Sequence, residues 1–252
     1  MDHFDSNGVD IAFMDSGGGA DRLPVLLIHG FASNIATNWT NTGWVDFLTK
    51  AGFRVVAFDN RGHGQSRKLY QLADYGAPLM AEDARRLFDH LGIARANVIG
   101  YSMGARIAAF LAIGHPDRVG RIVFGGLGIN MVRGMAGTGP IARALEADSL
   151  ADVTNPTART FRAFAEQTKS DLKALAACIR SSRAPITAEM VATIASPVLV
   201  AVGETDVNGG PPEELAKLIP EGRAYTIPGR DHNRAVGDST FKAEVMTFFT
   251  AA

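Results

Sequence analysis

The stretch VIGYSMGAR at residues 98–106 constrains this chain more than any other. An apolar strand pattern runs into G-x-S-x-G and then directly into an Ala-rich helical pattern. A strand that turns at once into a helix forces the middle residue into a strained backbone conformation. The turn closes only if the positions two before and two after carry almost no side chain. Gly100 and Gly104 meet that demand, and Ser102 takes the strained position. Such a turn lifts the serine oxygen off the sheet edge and leaves the Met103 N–H at a helix start, where negative charge is favoured. These residues mark Ser102 as a nucleophile and Met103 as one donor of an oxyanion hole. In a chain with 27 glycines the pattern also arises by chance, so the surrounding fold and the chemical partners have to be legible too.

The fold is legible as an alternation. Residues 9–15 (VDIAFMD) alternate in polarity like an antiparallel strand. Apolar runs at 24–28 (PVLLI), 53–58 (FRVVAF), 97–100, 119–124 (VGRIVF) and 197–202 (PVLVAV) have the pattern of strands buried on both faces, and a last strand falls at 224–227. Helical spacing appears at 78–91, 103–113, 212–219 and 239–249, with Pro78 opening and Gly92 closing the first. The alternation lapses between 127 and 190, where Met131, Met135, Ile141, Leu145, Phe161, Phe164, Leu172, Leu175 and Ile179 recur at helical spacing. The pattern predicts an α/β fold, a doubly wound, mostly parallel sheet of about eight strands. Residues 1–126 and 191–252 form its core, and 127–190 are inserted as a helical cap.

Composition narrows the function classes. A chain of 252 residues that is 46% hydrophobic builds one sizeable core. The formal net charge of -1, with no run of like charges, gives no nucleic-acid footprint and no electrostatic membrane anchor. The first twenty residues are polar and Gly-rich, so the expectation is a soluble cytoplasmic protein with a small-molecule partner. The sequence sets no oligomeric state. Gly17, Gly18 and Gly19 lack the following Lys and helix start of a phosphate cradle. Cys178, the single cysteine, lies in a helical pattern and reads as a buried thiol.

A serine nucleophile needs a base, and the base needs an acid that fixes its tautomer. His3 lies in the N-terminal tail, His29 follows the 24–28 strand where it braces backbone, His63 sits between two glycines in a turn, and His90 and His115 fall at helix ends. His232 follows the last strand in a polar loop shaped by Pro228 and Gly229, which makes it the base. Asp206, just past the 197–202 strand, is the acid; Glu204 lies nearer that strand and Asp231 is too close in sequence to His232. Ligands of such sheets collect at the carboxyl ends of the strands, and His29, Ser102, Asp206 and His232 all follow strand ends.

The chain order Ser102, Asp206, His232 is that of the α/β-hydrolase arrangement. Together with His29-Gly30-Phe31, the run from Asp59 to Ser66 (DNRGHGQS), Gly203-Glu204-Thr205-Asp206 and Asp231-His232, it makes the sequence resemble the α/β-hydrolase fold family over nearly its whole length. The resemblance implies a second oxyanion donor, the Phe31 N–H, and a cap over the site. Phe31, Met103, Met131 and Met135 are the expected substrate-binding residues. Arg230-Asp231 before the histidine and Asn233-Arg234 after it depart from the family's small or aromatic flanks and are expected to narrow the entrance.

The expected function is a serine esterase that needs no cofactor or metal and cleaves esters of small or medium, fairly apolar substrates through an acyl-enzyme. The same residues could serve cleavage of a carbon–carbon bond, a lactone or an amide, since fold does not choose among them. A ligand sensor on a hydrolase scaffold is the alternative from another class. A haloalkane dehalogenase is disfavoured because such relatives carry an aspartate where Ser102 stands.

Overall fold

The computed structural model describes residues 1–19, 21–134, 138–181 and 184–251. Eight strands form one sheet in the order β1-β2-β4-β3-β5-β6-β7-β8. They are β1 (Asp2–Asp5), β2 (Asp10–Asp15), β3 (Val25–Ile28), β4 (Val55–Phe58), β5 (Ala96–Tyr101), β6 (Val119–Gly125), β7 (Val198–Gly203) and β8 (Gly222–Ile227). β1 and β2 pair antiparallel, as do β2 and β4, and every other pairing is parallel. The N-terminal residues read as a tail are therefore the edge strand β1, in which Phe4 alone is buried. One inward side chain in four leaves little periodicity to read.

The central strands are buried end to end because helices cover both faces. Alternate side chains serve opposite layers. Leu26, Ile28, Val56 and Phe58 join the layer under α2 (Ala77–His90) and α3 (Met103–Gly114). Val25, Leu27, Val55 and Ala57 join the layer under α1 (Trp44–Lys50) and α11 (Ser239–Thr250), which Trp44, Phe241 and Phe248 fill. Two short helices, α9 (Pro212–Ala216) and α10 (His232–Ala235), flank β8.

Between β6 and β7 the described residues form only helices: α4 (Asn130–Arg133), α5 (Thr138–Glu146), α6 (Pro156–Gln167), α7 (Leu172–Arg180) and α8 (Ala188–Val191), with a 3-10 turn before α6. The Asn155 side chain accepts the Ala158 N–H to start α6, and Asp171 accepts the Ala174 N–H to start α7. The helical segment touches the loop after β3 directly. The Thr168 hydroxyl donates to the Ala32 carbonyl at 2.9 Å, and the Phe161 ring lies 6.1 Å from that of Phe31. Among the described residues no helix is long and apolar enough to cross a membrane.

Candidate active site

The β5–α3 turn has the geometry its glycines imply. Ser102 sits at φ 56 and ψ -112, a conformation that costs about 1–3 kcal/mol for a side-chain-bearing residue. The turn is held shut by the Ser102 N–H donating to the Gly125 carbonyl at 2.8 Å. A methyl group on Gly104 would stand 1.9 Å from the Ile28 carbonyl oxygen, and one on Gly100 would stand 2.3 Å from that of Gly104. The helix therefore packs directly on the end of β3.

His232 and Asp206 reach this serine from the ends of β8 and β7. His232 Nε2 lies 3.1 Å from Ser102 Oγ, and Nδ1 lies 2.7 Å from Asp206 Oδ2. The carboxylate can only accept, so Nδ1 carries the proton and Nε2 is left to accept from the serine hydroxyl. Asp206 is fixed in turn: its Oδ1 accepts the N–H groups of Asn208 at 2.8 Å and Gly209 at 3.2 Å, and its side chain is fully buried. The two competing acids are engaged elsewhere. Glu204 accepts the Gly229 N–H, and Asp231 caps α10 through the N–H groups of Asn233 and Arg234.

The loop after β3 closes the other side. A Cβ on Gly30 would lie 3.4 Å from Ser102 Cβ, so the Gly30-Phe31 backbone passes directly over the nucleophile. Asn38 Oδ1 accepts the Gly30 N–H at 3.2 Å. His29 braces the loop from beneath: Asn60 N–H donates to its Nε2 at 2.9 Å, and its Nδ1–H donates to the Gly30 carbonyl at 2.7 Å. Burial lowers the His29 pKa to about 4, against the opposing Gly30 bond, so the ring is neutral. His63, its ring centroid 5.3 Å from that of His29 and 5.8 Å from that of Phe31, is lowered to about 3, first by burial and then by His29. Asp59 ties the same turn together, accepting the N–H groups of Ile35 at 2.8 Å and Gln65 at 2.7 Å. The run from Asp59 to Ser66 is thus scaffolding for the loop over Ser102. Among the described residues neither the Phe31 nor the Met103 N–H has a protein acceptor.

Two compartments meet at Phe31, Ser102, Phe161, Asn208 and His232. The inner one, about 70 Å³, is walled by Ala77, Met80, Met103, Leu127 and Ile179, with Arg106 as its one cationic residue among those described. The outer one, about 350 Å³, is walled by Ser33, Thr37, Asn38, Thr160, Asn233 and Phe164, among others. Phe31 and Met103 line the cavity, whereas Met131 does not. It is fully buried, its carbonyl accepts from Arg106, and Leu127 and Phe161 supply apolar wall in its place. Met135 lies outside the described residues. The charges flanking His232 do not narrow the entrance. Arg230 pairs with Asp238 at 2.6 Å, Arg234 lies 3.8 Å from Asp231, and only Asn233 faces the outer compartment.

Sequence reasoning singled out none of Asn38, Asn208 and Tyr101, and named Phe161 only as one of the helically spaced apolar residues of the cap. The Tyr101 hydroxyl donates to the His232 carbonyl at 2.5 Å, and its pKa is raised well above the ordinary value by burial, with Asp206 and Asp231 adding to it. Tyr101 stands inside G-x-S-x-G, but at a position that the turn leaves free, so no pattern marks it.

A family model described as alpha/beta hydrolase fold matches residues 24–136. Over 115 residues the chain is 41% identical to the dihydrolipoyllysine-residue acetyltransferase component of the acetoin cleaving system of Cupriavidus necator, a match that covers 46% of this chain and 29% of that protein. Over 128 residues it is 34% identical to a 2-hydroxy-6-oxononadienedioate/2-hydroxy-6-oxononatrienedioate hydrolase of Burkholderia vietnamiensis, covering 49% and 42% of the two chains. The chain thus spans less than half the length of these curated relatives. The enol-lactonase from Burkholderia xenovorans LB400 superimposes with a TM-score of 0.77 at 21% identity, over 99% of this chain and 100% of that one. The eight-stranded sheet, the strained serine turn and these matches give the chain the α/β-hydrolase fold, with residues 24–136 matching the family model directly.

Proposed function

We propose that this chain is a serine hydrolase that cleaves carboxylic esters through an acyl-enzyme. The observation that carries the reading is the unbroken bond series from Ser102 Oγ through His232 to Asp206, at 3.1 Å and 2.7 Å. His232 takes the hydroxyl proton as Ser102 attacks the carbonyl carbon. The oxyanion that forms is received by the N–H groups of Phe31 and Met103, which have no acceptor of their own, and each such donor is worth about 100- to 1000-fold in rate. His232 then passes its proton to the leaving alcohol. Water, deprotonated by the same imidazole, releases the acid and restores the serine.

Carbon–carbon cleavage is the second reading, carried by the hydrolase of Burkholderia vietnamiensis. The dienedioate in that relative's name carries two carboxylates, whereas the described residues of both compartments include one permanent cation, Arg106. Arg106 already donates to the carbonyls of Met131 and Ala184. That charge inventory favours a substrate of lower charge. Parallel assay of short-chain esters, lactones, amides and ring-cleavage diketones tests the reading, with Ser102→Ala as control. Turnover of the diketones alone, or full ester turnover by Ser102→Ala, would overturn it. So would failure of a fluorophosphonate to label Ser102, the result a sensor would give.

A further inference from the structure

The two compartments differ in size and in the kind of polar group that lines them. No Asp, Glu, Lys or Arg lines the outer one among the described residues, yet hydroxyl and amide side chains make up much of its wall. Two of these, Ser33 and Asn38, are only 3% and 6% exposed, and the Ser33 hydroxyl and the Asn38 Nδ2 have no partner within the protein. A buried donor left unpaired costs about 1–3 kcal/mol, a cost removed when a ligand or water supplies the acceptor. The inner compartment, walled by Ala77, Met80, Met103, Leu127 and Ile179 beside Arg106, Asn130 and Ser181, has room for about five water molecules, enough for an acyl chain of a few carbons.

The base decides which half of a substrate goes where. His232 borders both compartments, but Asn233, its neighbour on α10, and Val236, just past that helix, line only the outer one, so a group protonated at Nε2 has its way out on that side. Met103, whose N–H faces the developing oxyanion in the proposed reaction, belongs to the inner wall. We infer that the inner compartment holds a short apolar acyl group and that the outer one selects an uncharged leaving alcohol bearing further hydroxyl or carbonyl oxygens. The inference rests on the ester-hydrolase reading and specifies its substrate class: short-chain acyl esters of neutral, polyhydroxylated alcohols. The fairly apolar substrate expected from sequence then describes the acyl half only.

The test uses two butanoate esters of matched shape, 2,3-dihydroxypropyl and 2-methylbutyl, beside p-nitrophenyl butanoate, whose activated leaving group needs little help from the wall. The expected result is a kcat/KM at least about tenfold higher for the dihydroxypropyl ester. The Ser33→Ala, Thr160→Val double variant should lose about three- to tenfold of that preference, read as the ratio of the two kcat/KM values. Equal rates on the matched pair, or a preference untouched by the double variant, would overturn the assignment while p-nitrophenyl turnover left the ester reading standing. Loss of both variant activities is resolved by Ser33→Ala alone, judged by the same ratio. Absence of turnover on all three esters by wild type would overturn the ester reading and this inference with it.

Discussion

The hydroxyl of Tyr101, one residue before the proposed nucleophile, donates to the backbone carbonyl of His232, the proposed base, at 2.5 Å. The bond ties the serine turn to the histidine loop across 131 positions of sequence, and it does so from a ring that is 4% exposed. Tyr101→Phe should keep the fold and release His232 from its anchor. The expected result is a fall in kcat of about tenfold with KM little changed, since a loosened base affects proton transfer more than binding. An unchanged kcat would show that the loop is held by Asp231 and its own backbone instead.

Asp206→Asn tests the tautomer. An amide at this position can present its N–H₂ to Nδ1 and drive the proton to Nε2, where it blocks acceptance from Ser102. Ester turnover should drop about 10⁴-fold while the unfolding midpoint moves little. Activity near wild type would remove Asp206 from the mechanism.

Gly104→Ala tests whether the turn tolerates a side chain. The new methyl would meet the Ile28 carbonyl oxygen at 1.9 Å, and the carbonyl belongs to a central strand that cannot retreat. Loss of at least about 3 kcal/mol of stability, or failure to accumulate as folded protein, is expected. A variant with the wild-type denaturation midpoint would refute the packing argument.

Arg61 and Asp83 form a buried two-bond ion pair at 2.7 Å and 2.8 Å, and Ser6 donates to the same carboxylate at 2.5 Å. Arg61→Leu leaves Asp83 charged in the interior, which should cost about 3–5 kcal/mol. Chemical denaturation of the variant measures this directly, and Arg61→Leu combined with Asp83→Leu should recover a large part.

Acid should destabilise the protein through His29 and His63. Their folded pKa values, about 4 and about 3, lie below the ordinary 6.5, so the unfolded chain binds protons that the folded chain refuses. Stability is then full above pH 6.5 and falls below it, by up to about 1.4 kcal/mol per pH unit for each ring. Urea midpoints at pH 7.5 and 5.5 check the sign, and His63→Gln should flatten the difference. A stability that rises on acidification over this range would contradict both assignments.

Local chemistry wrote much of this molecule into the sequence. The serine turn is legible because only glycine fits where α3 meets the end of β3, and the central strands are legible because burial on both faces demands an unbroken apolar run. Ser102, Asp206 and His232 could be named from their positions after strand ends. What the sequence could not supply was any relationship set by packing between distant segments. Residues 2–5 join the sheet through backbone pairing, to which their mostly exposed side chains contribute no pattern. Met131 points into the core because its helix register is fixed by neighbours, and the charges beside His232 turn away because Asp238 and the α10 N-terminus offer partners. The division of the site into two compartments arises where α6, the loop after β3 and α10 converge. Helical period and residue type give each element a face, but only the tertiary contacts decide which faces meet.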